Sequence, residues 1–305
     1  MSVKKKVILV LDGESGQALR AVRCLAQQKT FTIHVVSRKA SAPIRLSRYS
    51  KSFNVVDKLN SDAKYLDRVE ELITELGVDL LFPILERSVA LLIAHRERFQ
   101  NLCAIAPIPD AQTFEIATDK RLLGSFMHEH EIPAPGTIVL DGSQGNLNTI
   151  NTLMYPVLAK PGKGGFGRDI HRFNSPDELQ GFLEDPTVIG RDYAIQPFVP
   201  GSDVDCSVIC KDGRIIAHTV QQTIIESTRT FGPPTGIELM EDPEVLEIVR
   251  QLMFLLQWQG VAHIDLRKDH AGKYFVLEIN ARYWGSLLGS LAAGVNFPVL
   301  SVSYT

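Results

Sequence analysis

The alternation of apolar and polar positions is clearest near the C-terminal end of the chain. Residues 261–268 (VAHIDLRK) and 275–285 (FVLEINARYWG) are short apolar runs with polar insertions, the period-two signature of strands. A turn-rich bridge from Asp269 to Lys273 joins them, so the pattern predicts an antiparallel hairpin centred on Ala271-Gly272. That register sets Asp265 opposite Glu278. One face then carries His263, Asp265, Arg267, Glu278, Asn280 and Arg282. The other carries Ala262, Ile264, Leu266, Phe275, Leu277, Ile279 and Ala281, an oily face for a core.

Earlier in the chain the texture differs. Residues 6–11, KVILVL, read as a buried strand, followed by a turn at Asp12-Gly13, a helix over about 17–28 and a strand over 31–37. This βαβ unit implies a parallel sheet. A third strand over 53–56, a helix over about 62–76 and a strand over 80–84 extend it. Glu86 and Arg87 follow that last strand, where ligands approach an open α/β sheet. One helical pattern covers about 111–129 and leaves through the Pro-punctuated segment 132–137. A short strand ending at Lys160 runs into a glycine loop. Helix 175–183 opens on Ser-Pro-Asp-Glu, an N-cap with Pro in the first turn and early acids. An extended segment over 194–200 leads to a strand over 201–209, on which Asp203 and Asp205 point outward. After a strand over 214–221, the loop 227–236, rich in Gly and Pro, reads as a substrate cover. Helix 243–258 leads back to the hairpin.

Composition narrows the class. With 305 residues, 45% of them apolar and 22% charged, the chain has room for two or three packed units. A formal net charge of −3 without a concentrated basic stretch excludes the usual nucleic-acid footprint. Cys24, Cys103, Cys206 and Cys210 complete no zinc pattern and read as reduced thiols. The basic N-terminus and its short apolar run are too short for a signal-peptide core, and no run approaches the roughly 20 apolar residues of a membrane span. A cytoplasmic protein with no membrane or nucleic-acid partner is expected. The first turn, DGESGQ, has glycines only at Gly13 and Gly16, so a nicotinamide-linked oxidoreductase would rest on the βαβ unit alone.

Candidate chemistry concentrates in three places. Asp265, Glu278 and Asn280 offer oxygens on neighbouring strands, a set suited to a hard divalent cation such as Mg²⁺, which prefers few protein oxygens plus phosphate oxygens. Arg282, on the same face, suits a phosphoryl oxygen or carboxylate. The alternative is an amphipathic hairpin whose wet face happens to be charged. Gly162, Gly164, Gly165 and Gly167, beside Lys160, Lys163 and Arg168, form a loop whose N–H groups can approach an anion; it is not a Walker A sequence, and a hairpin tip is the plainer alternative. The extended segment with Pro on either side of Phe198-Val199 offers backbone groups to a purine base, and Asp203 beyond it suits a ribose hydroxyl; turn chemistry is the alternative there. Lys120, taken alone, is one of several solvated cations on its helix.

In this order the pieces resemble the ATP-grasp superfamily, in particular the branch of the carbamoyl phosphate synthetase large chain and biotin carboxylase, over nearly the whole chain. The resemblance implies an N-terminal α/β, Rossmann-like (pre-ATP-grasp) domain over 1–110, followed by an α+β ATP-grasp fold of two subdomains, 111–190 with the glycine-rich lid and 191–305 with the metal site. It implies ATP held by Lys120, Lys160 and the lid residues Gly164, Gly165, Phe166 and Gly167, with adenine at Gln196, Phe198 and Val199 and ribose at Asp203. Asp265, Glu278 and Asn280 would ligate one or two Mg²⁺, with Mn²⁺ acceptable to the same oxygens, and Arg282 with Lys160 would act in phosphoryl transfer. The implied activity is that of a ligase which converts a carboxylate to an acyl phosphate for attack by an amine or another nucleophile. Asp265 departs from the Glu or Gln more usual there, and relatives often continue further beyond the ExNxR motif. An ATP-binding module or sensor subunit without ligase activity is the alternative, against which the full metal set argues. The sequence names neither small-molecule substrate, and leaves a homo-oligomer or partner domain open.

Overall fold

The computed structural model describes residues 5–56, 61–140, 147–163, 169–189, 191–228, 230 and 232–305. Its first part is a parallel five-stranded sheet in the order β3-β2-β1-β4-β5. The strands are β1 (Lys6–Val10), β2 (Phe31–Ser37), β3 (Ser52–Val55), β4 (Leu80–Phe82) and β5 (Ala104–Ile105). Continuous apolar runs make β1 and β4 suitable for burial on both faces. Helix α1 (Gly16–Leu25) packs its Ala18, Ala21, Val22 and Leu25 on the face of Ile8, Val10 and Phe82. Helices α2 (Asp62–Leu76) and α3 (Glu86–Ala94), with the short α4 (Arg96–Phe99), cover Leu9, Leu11 and Val36 on the other face. Asp12, just past β1 with φ 57°, is buried, and its Oδ2 accepts the N–H groups of Ile84 and Leu85 and the Ser88 hydroxyl. It ties the ends of β1 and β4 together.

The helix expected over 111–129 is two helices, α5 (Ala111–Thr118) and α6 (Lys120–Glu129). Asp119 breaks them apart. Its backbone is extended, and its carboxylate caps α6 by accepting the Arg121 N–H, which offsets the lost helical turn. Ala117, Leu123, Met127 and Ile132 then join the core of the C-terminal sheet described below.

A small antiparallel sheet in the order β6-β9-β7-β8 comes next, from β6 (Ile138–Leu140), β7 (Val157–Pro161), β8 (His171–Phe173) and β9 (Tyr193–Pro197), with α7 (Leu147–Ile150) and α8 (Pro176–Leu183) packed under Val157, Tyr193 and Ile195. The expected N-cap is present: Ser175 accepts the Glu178 N–H. Strand β9 pairs with β6 and β7, so residues 193–197 hydrogen-bond with this sheet, beyond the boundary expected at 190.

The remaining strands form an antiparallel sheet in the order β12-β11-β10-β13-β14: β10 (Gly201–Lys211), β11 (Arg214–Ile225), β12 (Gly236–Met240), β13 (Gly260–Asp269) and β14 (Tyr274–Asn280). Helix α9 (Pro243–Leu255) lays Val245, Val249, Leu252 and Met253 against Val204, Cys206, Val208 and Ile264. The closing helices α10 (Leu287–Ala292) and α11 (Phe297–Ser303) return to the α1 face of the parallel sheet. Asp265 pairs with Glu278, as the hairpin pattern predicts, and His263 with Asn280. Below that point a bulge shifts the register to Leu266 with Val276 and Arg267 with Phe275. One extra residue inverts the alternation. Tyr274 and Val276 therefore enter the core, whereas Phe275 and Leu277, expected there, take the opposite face. Two contacts hold the shifted register: the Tyr274 hydroxyl donates to Asp242, and the Val276 N–H donates to the Pro133 carbonyl at 2.8 Å. The four cysteines are free. Among the described residues no helix is long and apolar enough to cross a membrane.

Candidate nucleotide and metal site

Strand register assembles the polar face. The β10–β13 pairing sets Asp205 beside Asp265, and the β13–β14 pairing sets Asp265 beside Glu278, so three carboxylates stand abreast on adjacent strands. Gln221 on β11 extends the row and donates to Asp205 at 2.7 Å. The next row is Ser207, His263 and Asn280. Neighbouring strands lie about 4.8 Å apart, so like charges in such a row repel unless something intervenes.

Several groups answer that repulsion. Lys120 Nζ lies 3.1 Å from Glu278 Oε2. The Asn280 amide donates to Asp265 at 3.1 Å and to Glu278 at 3.4 Å. Burial alone would raise the Glu278 carboxyl, but Lys120 and Lys160 outweigh it and hold its pKa below the usual value. Asp265 goes the other way: burial, then the charges of Glu278 and Asp205, push it well above the carboxylate range. Its side chain is 33% exposed, so the cavity reaches it. Burial raises Asp205 to about 7, against the lowering effect of the Gln221 hydrogen bond. The His263 Nδ1 bonds Ser207 Oγ at 2.8 Å, which leaves Nε2 3.5 Å from Asp265 and 3.9 Å from Asp205. Its ring stacks on Trp284, 5.4 Å between centroids. Burial and then the Arg282 charge lower its pKa to about 3, so the ring is neutral.

The structure also disposes of the solvated Lys120 expected from its helix alone. Lys120 starts α6, is only 8% exposed, and donates its backbone N–H to the Gly162 carbonyl at 2.9 Å. Lys160 on β7 is 6% exposed, and burial, partly offset by Glu278, lowers it to about 8. Gln196 is buried; its Nε2 donates to Thr137 Oγ1 at 2.9 Å, while its Oε1 has no partner among the described residues. The Phe198 N–H, expected to be open to a base, donates to the Pro156 carbonyl at 2.8 Å because the chain stays paired past the end of β9. Its ring instead faces the guanidinium groups of Arg172 and Arg267, at 4.5 and 5.1 Å. Asp203 accepts from Arg267 at 2.6 Å. Arg282 donates to Asn280 Oδ1 at 2.7 Å and to the Tyr283 carbonyl at 3.1 Å, and its Nε is 3.8 Å from Glu86 at the start of α3. Gly164, Gly165, Phe166 and Gly167 lie outside the described residues.

A cavity of about 430 Å³ joins these groups. Gln196, Phe198, Val199, Asp203, Lys160, Asp265, Glu278, Asn280 and Arg282 all line it, as do Asp205 and His263. Asp205 and Gln221 complete the row, although only the Asp203/Asp205 alternation hinted at the first. The signal that joins them to Asp265 is the β10–β13 pairing, which no local pattern contains.

The sequence pattern of a family described as ATP-grasp in the biosynthetic pathway with Ter operon matches residues 191–305, the part that carries the carboxylate row. Vancomycin B-type resistance protein VanB of Enterococcus faecalis is 23% identical over 73% of this chain and 71% of its own length. The alpha-aminoadipate–LysW ligase LysX of Sulfurisphaera tokodaii is 33% identical over 60% of this chain; the match spans 65% of that relative, just under two thirds. In fold, the chain is similar to the biotin carboxylase domain of Hydrogenobacter thermophilus 2-oxoglutarate carboxylase, solved with MgADP, ADP and bicarbonate: TM-score 0.75 at 18% identity, over 97% of this chain and 68% of that one. With Lys160, the carboxylate row and the ExNxR strand in one cavity, the chain is similar in sequence pattern over residues 191–305, and in fold over nearly its whole length, to ATP-grasp and biotin carboxylase proteins.

Proposed function

We propose that the chain is an ATP- and Mg²⁺-dependent ligase that activates a carboxylate as an acyl phosphate for attack by an amine or another nucleophile. The observation that carries this is the Asp265–Glu278 pair, flanked by Lys120 and Lys160, in the cavity that also holds Gln196, Phe198, Val199 and Asp203. The buried side-chain polar atoms without a partner among the described residues belong to Gln196, Thr223, Arg267 and Trp284, and every one of these residues lines that cavity. Buried polar groups are ordinarily satisfied, so a polar ligand is the natural partner there. Relatives that include a named ligase agree with the assignment.

The residues fit a hard cation. Asp265 and Glu278 present crowded carboxylates whose repulsion a divalent ion relieves, with donors that Mg²⁺ prefers and Mn²⁺ accepts. Asn280 turns its Oδ1 to Arg282, so it would join the ligands only after its amide rotates. When bound, Mg²⁺ supplies charge neutralisation between phosphate oxygens. Lys120 and Lys160 add positive charge at the phosphates, and the lid role that the resemblance implies for Gly164, Gly165, Phe166 and Gly167 belongs to the same proposal. Gln196, Phe198 and Val199 bound the adenine, and Asp203 takes the ribose by exchanging its Arg267 contact. A substrate carboxylate oxygen bonds to the γ-phosphorus as the bridging bond to ADP breaks. The amine then attacks the acyl carbon, phosphate leaves, and the nitrogen gives up a proton. Arg282 steadies the transferred group through both steps. Water exclusion protects the acyl phosphate from hydrolysis.

The division into a Rossmann-like domain at 1–110 and grasp subdomains at 111–190 and 191–305 belongs to the same proposal, with β9 counted in the middle unit by its pairing. The test is ADP release from Mg-ATP across a matrix of carboxylates and amines. Release that requires both a carboxylate and an amine supports the ligase; tight ATP binding without release under any pair points to a sensor module.

A further inference from the structure

The cavity also reaches the first turns of α1. Gln17 and Arg20 line it there, one helical turn apart and partly buried. Neither side chain makes a hydrogen bond or ion pair with another described residue. Arg20 differs in this from the arginines of the sheet wall, where Arg267 is paired with Asp203 and Arg282 with Asn280 and Glu86. Gly16 leaves the room its guanidinium uses: a Cβ built at Gly16 would lie 2.8 Å from Arg20 Nη1. The first turn of α1 carries no acid, and Glu14 just before it is taken up by the Ser37 hydroxyl and the Arg38 N–H. Trp284 lines the same cavity, and its indole N–H has no acceptor among the described residues. The cavity wall therefore includes a guanidinium, an amide and an indole donor, with no anion from α1 to balance them. Such a set recognises a carboxylate, which a guanidinium can hold in a bidentate fork.

We propose that Arg20, with Gln17, is a specificity-determining group that binds a carboxylate of the substrate other than the one that becomes the acyl phosphate. It rests on the ligase function proposed above and extends it to a substrate class. The non-reacting carboxylate belongs to the acyl donor, making it a dicarboxylate, or to the amine, making it an amino acid; the chemistry recognised is the same.

Calorimetric titration of the full chain, preloaded with Mg²⁺ and a non-hydrolysable ATP analogue, reads this part of the cavity without turnover. Failure of ligation and failure of the Arg20 assignment are thus separate results. Glutarate against butyrate probes the donor, and glycine against ethylamine probes the amine. In at least one pair the native protein should favour the carboxylate-bearing partner by about tenfold or more. Arg20→Gln should bring that ratio close to one, and Arg20→Lys should restore part of it. A native ratio near one in both pairs, or an unchanged ratio in Arg20→Gln, would overturn the assignment.

Discussion

The Lys120 ammonium and the Glu278 carboxylate meet at 3.1 Å, joining the first residue of α6 to the last strand of the C-terminal sheet. Both are largely shielded, so the contact is worth more than a surface ion pair. The break at Asp119 makes it: without that cap Lys120 would continue a helix instead of starting one. Lys120→Ala should weaken ATP binding by about tenfold to a hundredfold, in line with the loss of a charge-assisted contact. Calorimetric titration with ATP checks this. Affinity equal to that of the native protein would mean that Lys120 serves Glu278 and not the nucleotide.

Glu278→Ala should abolish turnover, a loss of at least about a thousandfold, because it removes a proposed cation ligand and the charge that holds both lysines. The fold should survive, since Glu278 sits on the cavity face and the core below it is built from Val276 and Ile279. Circular dichroism beside an ADP-release assay separates the outcomes. Normal activity would remove Glu278 from the mechanism.

The Lys160 ammonium loses its proton at about 8 in the free protein because burial disfavours the charge. Phosphate binds the charged form, so binding raises that pKa. ATP affinity should therefore hold steady below pH 8 and fall as pH rises beyond it, approaching tenfold per pH unit. Lys160→Met should bind more weakly at neutral pH and lose this dependence. A native affinity flat from pH 7 to pH 9.5 would place Lys160 away from the phosphates.

Gly260 starts β13 with φ +83°, and a Cβ there would lie 2.0 Å from the Pro107 carbonyl oxygen. Only glycine lets the hairpin pass the segment that leaves the parallel sheet. Gly260→Ala should cost about 3 kcal/mol or more, from strain and from steric displacement of backbone. Urea unfolding measures it, and a loss below about 1 kcal/mol would show that the segment yields easily.

Much of this architecture was legible in the residues, and the exceptions have physical causes. The Asp265–Glu278 pairing follows from turn position and alternation, both local. The bulge does not, because Tyr274, Phe275, Val276 and Leu277 are all apolar and the pattern reads equally well in either phase. Thr-Asp-Lys-Arg at 118–121 does contain a cap residue, but apolar spacing on both sides hid the break it causes. Asp205 and His263 were visible as strand residues. Alternation along β13 already sets His263 on the Asp265 face, but the meeting of Asp205 with Asp265 depends on pairing between segments more than fifty residues apart, and that non-local choice is made by the core under β10 and β13.

The central claim is that Asp265 and Glu278 together hold a divalent cation against a nucleotide. Anomalous diffraction from crystals grown with Mn²⁺ and a non-hydrolysable ATP analogue tests it most directly. The account predicts a peak between these carboxylates, lost in Asp265→Asn crystals grown the same way. A peak elsewhere, with Asp265 and Glu278 remote from both metal and phosphates, would contradict it.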